Sequence, residues 1–261
     1  MRDRIIGGAL IAIIFLASFF LGPVAFKILV GVVAILAFKE IITLPKVKGR
    51  LNIPIIVISL ISFMSLIYVV NDSYALYIGA SYQMIAFMLF SLIVPTIFSK
   101  KYDTETSLFM FTLLFLIGLS LNSMIMLDMA NKYLLLYIIV VIVATDVFAL
   151  LIGSYVGTHR LSNISPKKTI EGSLGGIICS SIIGTFYYLA VIGNLGILRI
   201  VVMSVLISAF GQIGDLFFSK IKRENDIKDY SHLIKGHGGI LDRIDSLIFG
   251  VLLYTLLCTI L

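Results

Sequence analysis

The chain has 261 residues, of which 60% are hydrophobic and 13% are charged, and its mean hydropathy is +1.11. These values lie outside the range of soluble globular proteins and predict an integral membrane protein. The formal net charge of +6 does not require a nucleic-acid partner, because the cytoplasmic loops of membrane proteins are normally basic where they face anionic lipid.

Apolar segments along the chain predict about nine transmembrane helices. A bilayer core of about 30 Å needs about 20 apolar residues per helix. Segments of this kind lie at 5–22, 24–42, 52–70, 74–98, 107–127, 133–155, 174–193, 198–218 and 246–261. We interpret the first as an uncleaved helix, because it is too long for a signal peptide and lacks a convincing small-residue cleavage site. The predicted fold class is an all-α, polytopic integral membrane protein.

The distribution of basic residues predicts the orientation of these spans. Most of the 20 Lys and Arg residues fall in loops on the same side as the N-terminus. Since short cytoplasmic loops carry an excess of Lys and Arg, the N-terminus and the long loops at 156–173 and 219–245 are predicted to be cytoplasmic. The expected location is the inner (plasma) membrane of a bacterium.

Polar residues divide the chain into two predicted regions. Residues 1–130 hold spans one to five, whose interiors are almost purely apolar, and are expected to serve in packing. Residues 131–261 hold spans six to nine and both long cytoplasmic loops. Any chemistry is therefore predicted in the C-terminal region.

Two features begin that region. Asp146 lies within an apolar span, where a carboxylate usually faces a partner, a cavity or a functional site, although a structural hydrogen bond to a neighbouring helix is the simpler alternative. Gly153 and Gly157 follow and allow a close approach of the backbone. The loop sequence "ISPKKTIEG" then offers Lys167 and Lys168, compact charges that suit phosphate but are also ordinary in a cytoplasmic loop.

The third feature covers residues 211–246. Asp215 lies near the cytoplasmic end of its span, and Asp242 and Asp245 share one face of the last helix if that helix starts near Gly239. Taken singly, each is most simply a solvated loop charge. Together, oxygen ligands from two helices beside lysines and arginines predict a site for Mg²⁺ and a polyphosphate.

This segment closely resembles the signature of the phosphatidate cytidylyltransferase (CDP-diacylglycerol synthase) family. The matching residues are Ser219, Lys222, Arg223, Lys228, Asp229, Gly236, His237, Gly238, Gly239, Asp242, Arg243 and Asp245. The resemblance extends back through Asp215 and "SPKKTIEG" to Asp146, so it covers roughly residues 140–250. The chain departs from the signature at Lys235, where the family usually has proline.

The resemblance implies transfer of CMP from CTP to phosphatidate, with CDP-diacylglycerol and pyrophosphate as products and Mg²⁺ as cofactor. It implies Asp215, Asp242 and Asp245 as catalytic metal ligands, and Lys222 and Arg223 as catalytic charges that neutralise phosphate. The substrate-binding residues that it implies are Lys167, Lys168, Lys228, His237, Arg243, Ser219 and Asp146. For His237 we favour a binding or structural role over that of a general base, since the attacking phosphate oxygen is already anionic.

Several alternatives stay open. Composition does not separate this function from that of a related lipid cytidylyltransferase acting on an isoprenoid or another phospholipid, or from that of a polyprenol kinase-like enzyme. A polytopic carrier, with Asp146 and Asp215 in an ion path, is less favoured because the sequence shows no internal repeat. Mn²⁺ in place of Mg²⁺, a monovalent cation in the same site and a homodimer also stay open.

Overall fold

The computed structural model of the chain describes residues 13–69, 81–231, 233 and 238–260. Its contacts divide the chain into two compact units. The first unit comprises Met1–Met129 and Asn225–Arg243, and the second comprises Ala130–Glu224 and Ile244–Leu261. The signature segment is therefore shared between the units, with residues 225–243 in the first.

The regular secondary structure of the described ranges is helical. In chain order the helices are α1 at 13–21, α2 at Pro23–Ile42, α3 at Ile53–Tyr68, α4 at Tyr82–Ile93, α5 at Pro95–Phe98, α6 at Thr104–Val156, α7 at Ile170–Tyr187, α8 at Ile197–Glu224 and α9 at Leu241–Ile260. A π-helical turn continues α7 through Tyr188–Ile192. Four of these, α6, α7 with its π turn, α8 and α9, are long and apolar enough to cross a membrane. The prediction of an all-helical membrane protein is confirmed at this level, and the count of nine spans and their orientation stay predictions.

Helix α6 contains two of the predicted spans. Its 53 residues are more than twice the about 20 that one crossing of a bilayer core needs. Asn131 has a non-helical backbone (φ −159°, ψ 100°) and divides the helix between the predicted spans 107–127 and 133–155. Its side-chain oxygen accepts a hydrogen bond from the Tyr133 amide at 3.0 Å, as an N-cap does, so the second segment starts with its own cap.

The last helix starts earlier than the apolar segment predicts. The predicted span covers 246–261, whereas α9 begins at Leu241, close to the start near Gly239 that the glycine pair predicts. Hydropathy marks only the bilayer-length apolar part of a helix, and the polar turns that precede it carry no such signal. Asp242 and Asp245 consequently both lie in the first turns of α9.

The first unit contains buried polar contacts between its apolar helices. The Ser91 hydroxyl of α4 donates to the Ser62 hydroxyl of α3 at 2.8 Å, and the Asn122 amide of α6 donates to the Ile67 carbonyl at 3.0 Å. Polar side chains in a membrane interior are stabilised by such bonds between helices. They fix how α3, α4 and the first segment of α6 pack.

The second unit is built around α8, which packs against α7 and the second segment of α6. The hydroxyls of Tyr137 and Ser204 are 2.7 Å apart. Ser208, one turn further along, accepts from Thr145 at 2.7 Å and from Ser180 at 3.0 Å. This buried polar face of α8 continues toward its C-terminal end, where the predicted site residues lie.

Candidate active site

A cavity of about 320 Å³ in the second unit contains several of the predicted site residues. Its lining comes from α6, α7, α8 and the loop between α6 and α7. The polar residues that line it are Asp146, Ser165, Lys167, Lys168, Thr169, Ser173, Gln212 and Asp215. Residues far apart in the sequence therefore share one polar cavity next to apolar helices.

Asp215 is held by partners on two sides. One carboxylate oxygen forms an ion pair with the Lys168 ammonium, and the two side chains are 25% and 27% exposed, respectively. The other oxygen accepts a hydrogen bond from the Ser219 hydroxyl at 3.2 Å, one turn along α8. A partly desolvated ion pair of this kind orients both charges toward the cavity they line.

The loop between α6 and α7 places Lys168 through close backbone packing. The Thr169 hydroxyl caps α7 by accepting from the Gly172 amide at 3.2 Å. A Cβ on Gly172 would lie 2.9 Å from the Gly153 Cα, and a Cβ on Gly157 would lie 2.7 Å from the Thr169 methyl group. Glycine at these positions lets α6 and α7 approach closely around Thr169.

Asp245 lies where α9 meets α8 in the second unit. Its side chain is buried, and its Oδ1 accepts from the Ser246 amide at 2.7 Å. A Cβ on Gly214 of α8 would be 2.8 Å from the Asp245 carbonyl oxygen, so the glycine permits this contact. The charges of Asp215, Lys222 and Asp146 all act electrostatically on the Asp245 carboxyl group. Three carboxylates and two lysines therefore converge in this unit.

The remaining predicted residues of α8 differ in exposure. Ser219 and Lys222 are buried, at 8% and 9% exposure, whereas Arg223 is exposed in the last turn of the helix. Lys222 therefore lies on the inner face with Asp215, and Arg223 points to a different side of α8.

Asp242 belongs to the first unit, together with the signature loop, which we define as residues 225–240. Its Oδ2 accepts from the amides of Tyr230 at 3.0 Å and Gly239 at 2.8 Å. Gly238 has a φ of +81°, a left-handed conformation that favours glycine. The loop thus folds back on the Asp242 carboxylate.

Three other predicted residues belong to the signature loop or follow it closely. Lys228 and Arg243 are exposed, and His237 lies outside the described residues. The roles that the resemblance implies for these three side chains stay predictions.

Sequence reasoning missed two groups in the second unit. Gln212, 6% exposed, accepts from the Ser173 hydroxyl at 2.5 Å and donates to the Ser173 carbonyl at 3.2 Å, which ties α8 to α7 at the cavity. Glu171 accepts from the Thr158 hydroxyl at 2.9 Å and pairs with the His159 ring at 2.6 Å. A signal for Gln212 was present, since an amide inside an apolar helix needs a partner.

Sequence reasoning also missed Glu40 of α2, a buried carboxylate in the first unit that contacts the signature loop. Its partner amides lie about 200 residues further along the chain, so no local pattern indicated the contact.

The donor chemistry of the site suits a divalent cation. Asp215 and Asp245 offer hard oxygen donors, which Mg²⁺ prefers, and a cation beside them would offset the repulsion between their like charges. Within the described part of the chain, no group of three His, Cys, Asp or Glu side chains is arranged as a metal-binding cluster. The fit of these residues to Mg²⁺ is therefore one of charge and donor type, without an assembled ligand geometry.

Comparison with known proteins agrees with this chemistry. The chain is 32% identical over 257 residues to the phosphatidate cytidylyltransferase of Bacillus subtilis, covering 95% of this chain and 94% of the relative. It is 30% identical to the enzymes of the same name from Staphylococcus haemolyticus and Staphylococcus aureus, with 95% of each chain covered.

The sequence model of the cytidylyltransferase family matches residues 2–261. This match confirms the predicted resemblance and extends it beyond residues 140–250 into the N-terminal half. The chain therefore belongs to the cytidylyltransferase family.

Proposed function

We propose that the protein transfers CMP from CTP to phosphatidate. A phosphate oxygen of phosphatidate attacks the α-phosphorus of CTP, the bond from that phosphorus to the β-phosphate oxygen breaks, and pyrophosphate leaves. Family membership and the names of the relatives support the reaction. The structural observation that carries it is the convergence of Asp146, Asp215 and Asp245 with Lys168 and Lys222 in the second unit, beside a polar cavity.

This arrangement suits the electrostatics of the reaction. Both substrates are polyanions, so their approach is opposed by charge repulsion, and catalysis consists mainly of positioning and charge neutralisation. Lys168 is held beside Asp215 at the cavity, and Lys167 lines the same cavity. We infer that these lysines bind phosphate groups. The phosphate monoester already supplies an anionic nucleophile, so the mechanism uses no serine or cysteine nucleophile.

We further propose Mg²⁺ as the cofactor, with Asp215, Asp242 and Asp245 as its ligands. The bound metal would supply charge neutralisation to the triphosphate. Asp215 and Asp245 already interact electrostatically in the second unit, and the Asp242 carboxylate is held in place by two backbone amides in the first. Lys222, buried near Asp245, would then stabilise the charge that develops on the leaving pyrophosphate.

The proposed location is the bacterial plasma membrane, with several spans and with the site toward the cytoplasm. Four apolar helices and bacterial relatives support the membrane location. The excess of Lys and Arg in the loops on the N-terminal side supports the orientation.

A direct test measures pyrophosphate release by the purified full-length protein in detergent. The reaction contains CTP, Mg²⁺ and one of several lipid phosphates, and the lipid product is identified by mass spectrometry. We expect release with phosphatidate, and no release when Mg²⁺ is chelated. Release with polyprenyl phosphate but not with phosphatidate would instead favour the related lipid cytidylyltransferase.

A further inference from the structure

Glu40 is a buried carboxylate at the end of α2, far in sequence from every predicted site residue. It is 4% exposed. Its Oε1 accepts from the Ile240 amide at 2.8 Å and from the Ser231 hydroxyl at 2.7 Å, and its Oε2 accepts from the Leu241 amide at 2.9 Å. All of these residues belong to the first unit. Both carboxylate oxygens are thus used to hold the end of the signature loop and the start of α9.

The amides that Glu40 binds are ones that α9 cannot satisfy itself. The first N–H groups of a helix have no partner within the helix, and a negative charge beside them is favourable. Hydrogen bonds from amides to an ionised carboxylate are shorter and stronger than neutral ones. Glu40 therefore acts as a cap for α9 that comes from a distant part of the chain.

Gly239 is required by the same contact. A Cβ added to Gly239 would lie 2.7 Å from the Glu40 Cδ, closer than a side chain tolerates. The Gly239 amide meanwhile donates to the Asp242 Oδ2 at 2.8 Å. Glu40 and Asp242 thus both bind the same short segment of backbone.

We propose that Glu40 is a positioning residue of the transferase, which sets the place of Asp242 by anchoring the backbone from Gly239 to Leu241. The inference rests on the proposed function, in which Asp242 is a metal ligand. Burying a carboxylate is costly unless its bonds are complete, and an apolar side chain would suffice for packing alone. The complete set of bonds to one loop indicates that the carboxylate specifies the geometry of that loop.

The test compares Glu40→Gln and Glu40→Asp with wild type, and with Glu105→Gln, an exposed glutamate of the first unit, as the matched control. Gln keeps the size but loses one acceptor oxygen, and Asp keeps both oxygens on a shorter side chain. We measure turnover, the Mg²⁺ concentration for half-maximal rate, the melting temperature, and hydrogen–deuterium exchange of the amides at 238–243.

In Glu40→Gln we expect the amides of Ile240 and Leu241 to exchange faster and the half-maximal rate to need more Mg²⁺. Turnover should fall about 10- to 100-fold, since a displacement of about 1 Å at a reacting group can lower the rate about 100-fold. Glu40→Asp should lose less, and the control should match wild type. Unchanged turnover and Mg²⁺ dependence in folded Glu40→Gln would overturn the proposal, and so would a failure of both variants to fold, because Glu40 would then serve stability alone.

These outcomes are separable from a failure of the proposed function. If wild type forms no CDP-diacylglycerol, the reaction is wrong. Exchange at Ile240 and Leu241 still shows whether Glu40 anchors the loop, because that measurement needs neither substrate nor metal.

Discussion

Replacing Asp215 by Asn tests the centre of the proposed site. The change keeps the size of the side chain but removes the charge that pairs with Lys168. Losing a charge-assisted hydrogen bond costs about 1.5–3 kcal/mol, and losing a metal ligand removes several kcal/mol more of transition-state stabilisation. At about 1.36 kcal/mol per tenfold change, we expect turnover to fall by about two to four powers of ten. The assay is pyrophosphate release by purified protein with CTP, Mg²⁺ and phosphatidate.

Asp226→Asn is the matched control for this change. Asp226 is exposed in the signature loop and has a φ of 55°, a conformation that Asn adopts as readily as Asp. We expect its turnover to stay within about threefold of wild type, because the substitution changes an exposed side chain. If Asp215→Asn melts at the wild-type temperature and also turns over within about threefold, the proposed metal and phosphate site is wrong.

Three further predictions address the loop, the first unit and the orientation. Gly239→Ala should lower turnover about tenfold or more by pushing Glu40 away, and combining it with a shortened Glu40 should restore part of the loss. Hydrogen bonds from Thr106, followed by the charge of Arg50, lower the pKa of Asp103 below its ordinary value of 3.8. Asp103 should therefore stabilise the protein above pH 3.8, so the difference in melting temperature between wild type and Asp103→Asn should shrink as the pH falls below that value and through the lowered pKa. Single cysteines at Asn163 and Asn194, both exposed, should label from opposite sides of sealed membranes, and labelling from one side would contradict the predicted nine-span topology.

The helical nature of the chain could be predicted from the sequence because bilayer-length apolar segments leave few other options. The division of α6 near residue 131 was also visible as a polar interruption between two apolar segments. Helix ends were less predictable: α9 starts at Leu241, before the apolar segment begins. Hydropathy cannot detect polar helical turns, so it places the start of such a helix too late.

The residue types of the site were predictable, but their pairings were not. The signature indicated that Asp215 and Lys168 belong to one chemistry. Spacing could not indicate that these two side chains form an ion pair, because they lie on a helix and a loop whose packing depends on glycines such as Gly153 and Gly172. Such packing depends on how the surfaces of two helices fit together, and the sequence of each helix does not show which surface it will contact.

Glu40 shows why a buried charge at the end of a helix is difficult to interpret from sequence. A charged pair at the end of an apolar segment, Lys39 and Glu40, is ordinarily solvated and reports only where the membrane ends. In the structure Lys39 is exposed and Glu40 is buried against Gly239. Local sequence treats the two alike, since the difference arises from amides about 200 residues away.

That contact gives the N-terminal half of the chain a part in the chemistry. The sequence suggests a packing role for residues 1–130, yet residues 225–243 of the signature belong to the same unit as α2. The carboxylate of Asp242 is held by loop amides, and the loop is held by Glu40. A substitution in α2 can therefore alter the rate of a reaction whose charged residues lie in the C-terminal half, through the backbone that Glu40 binds at Ile240 and Leu241.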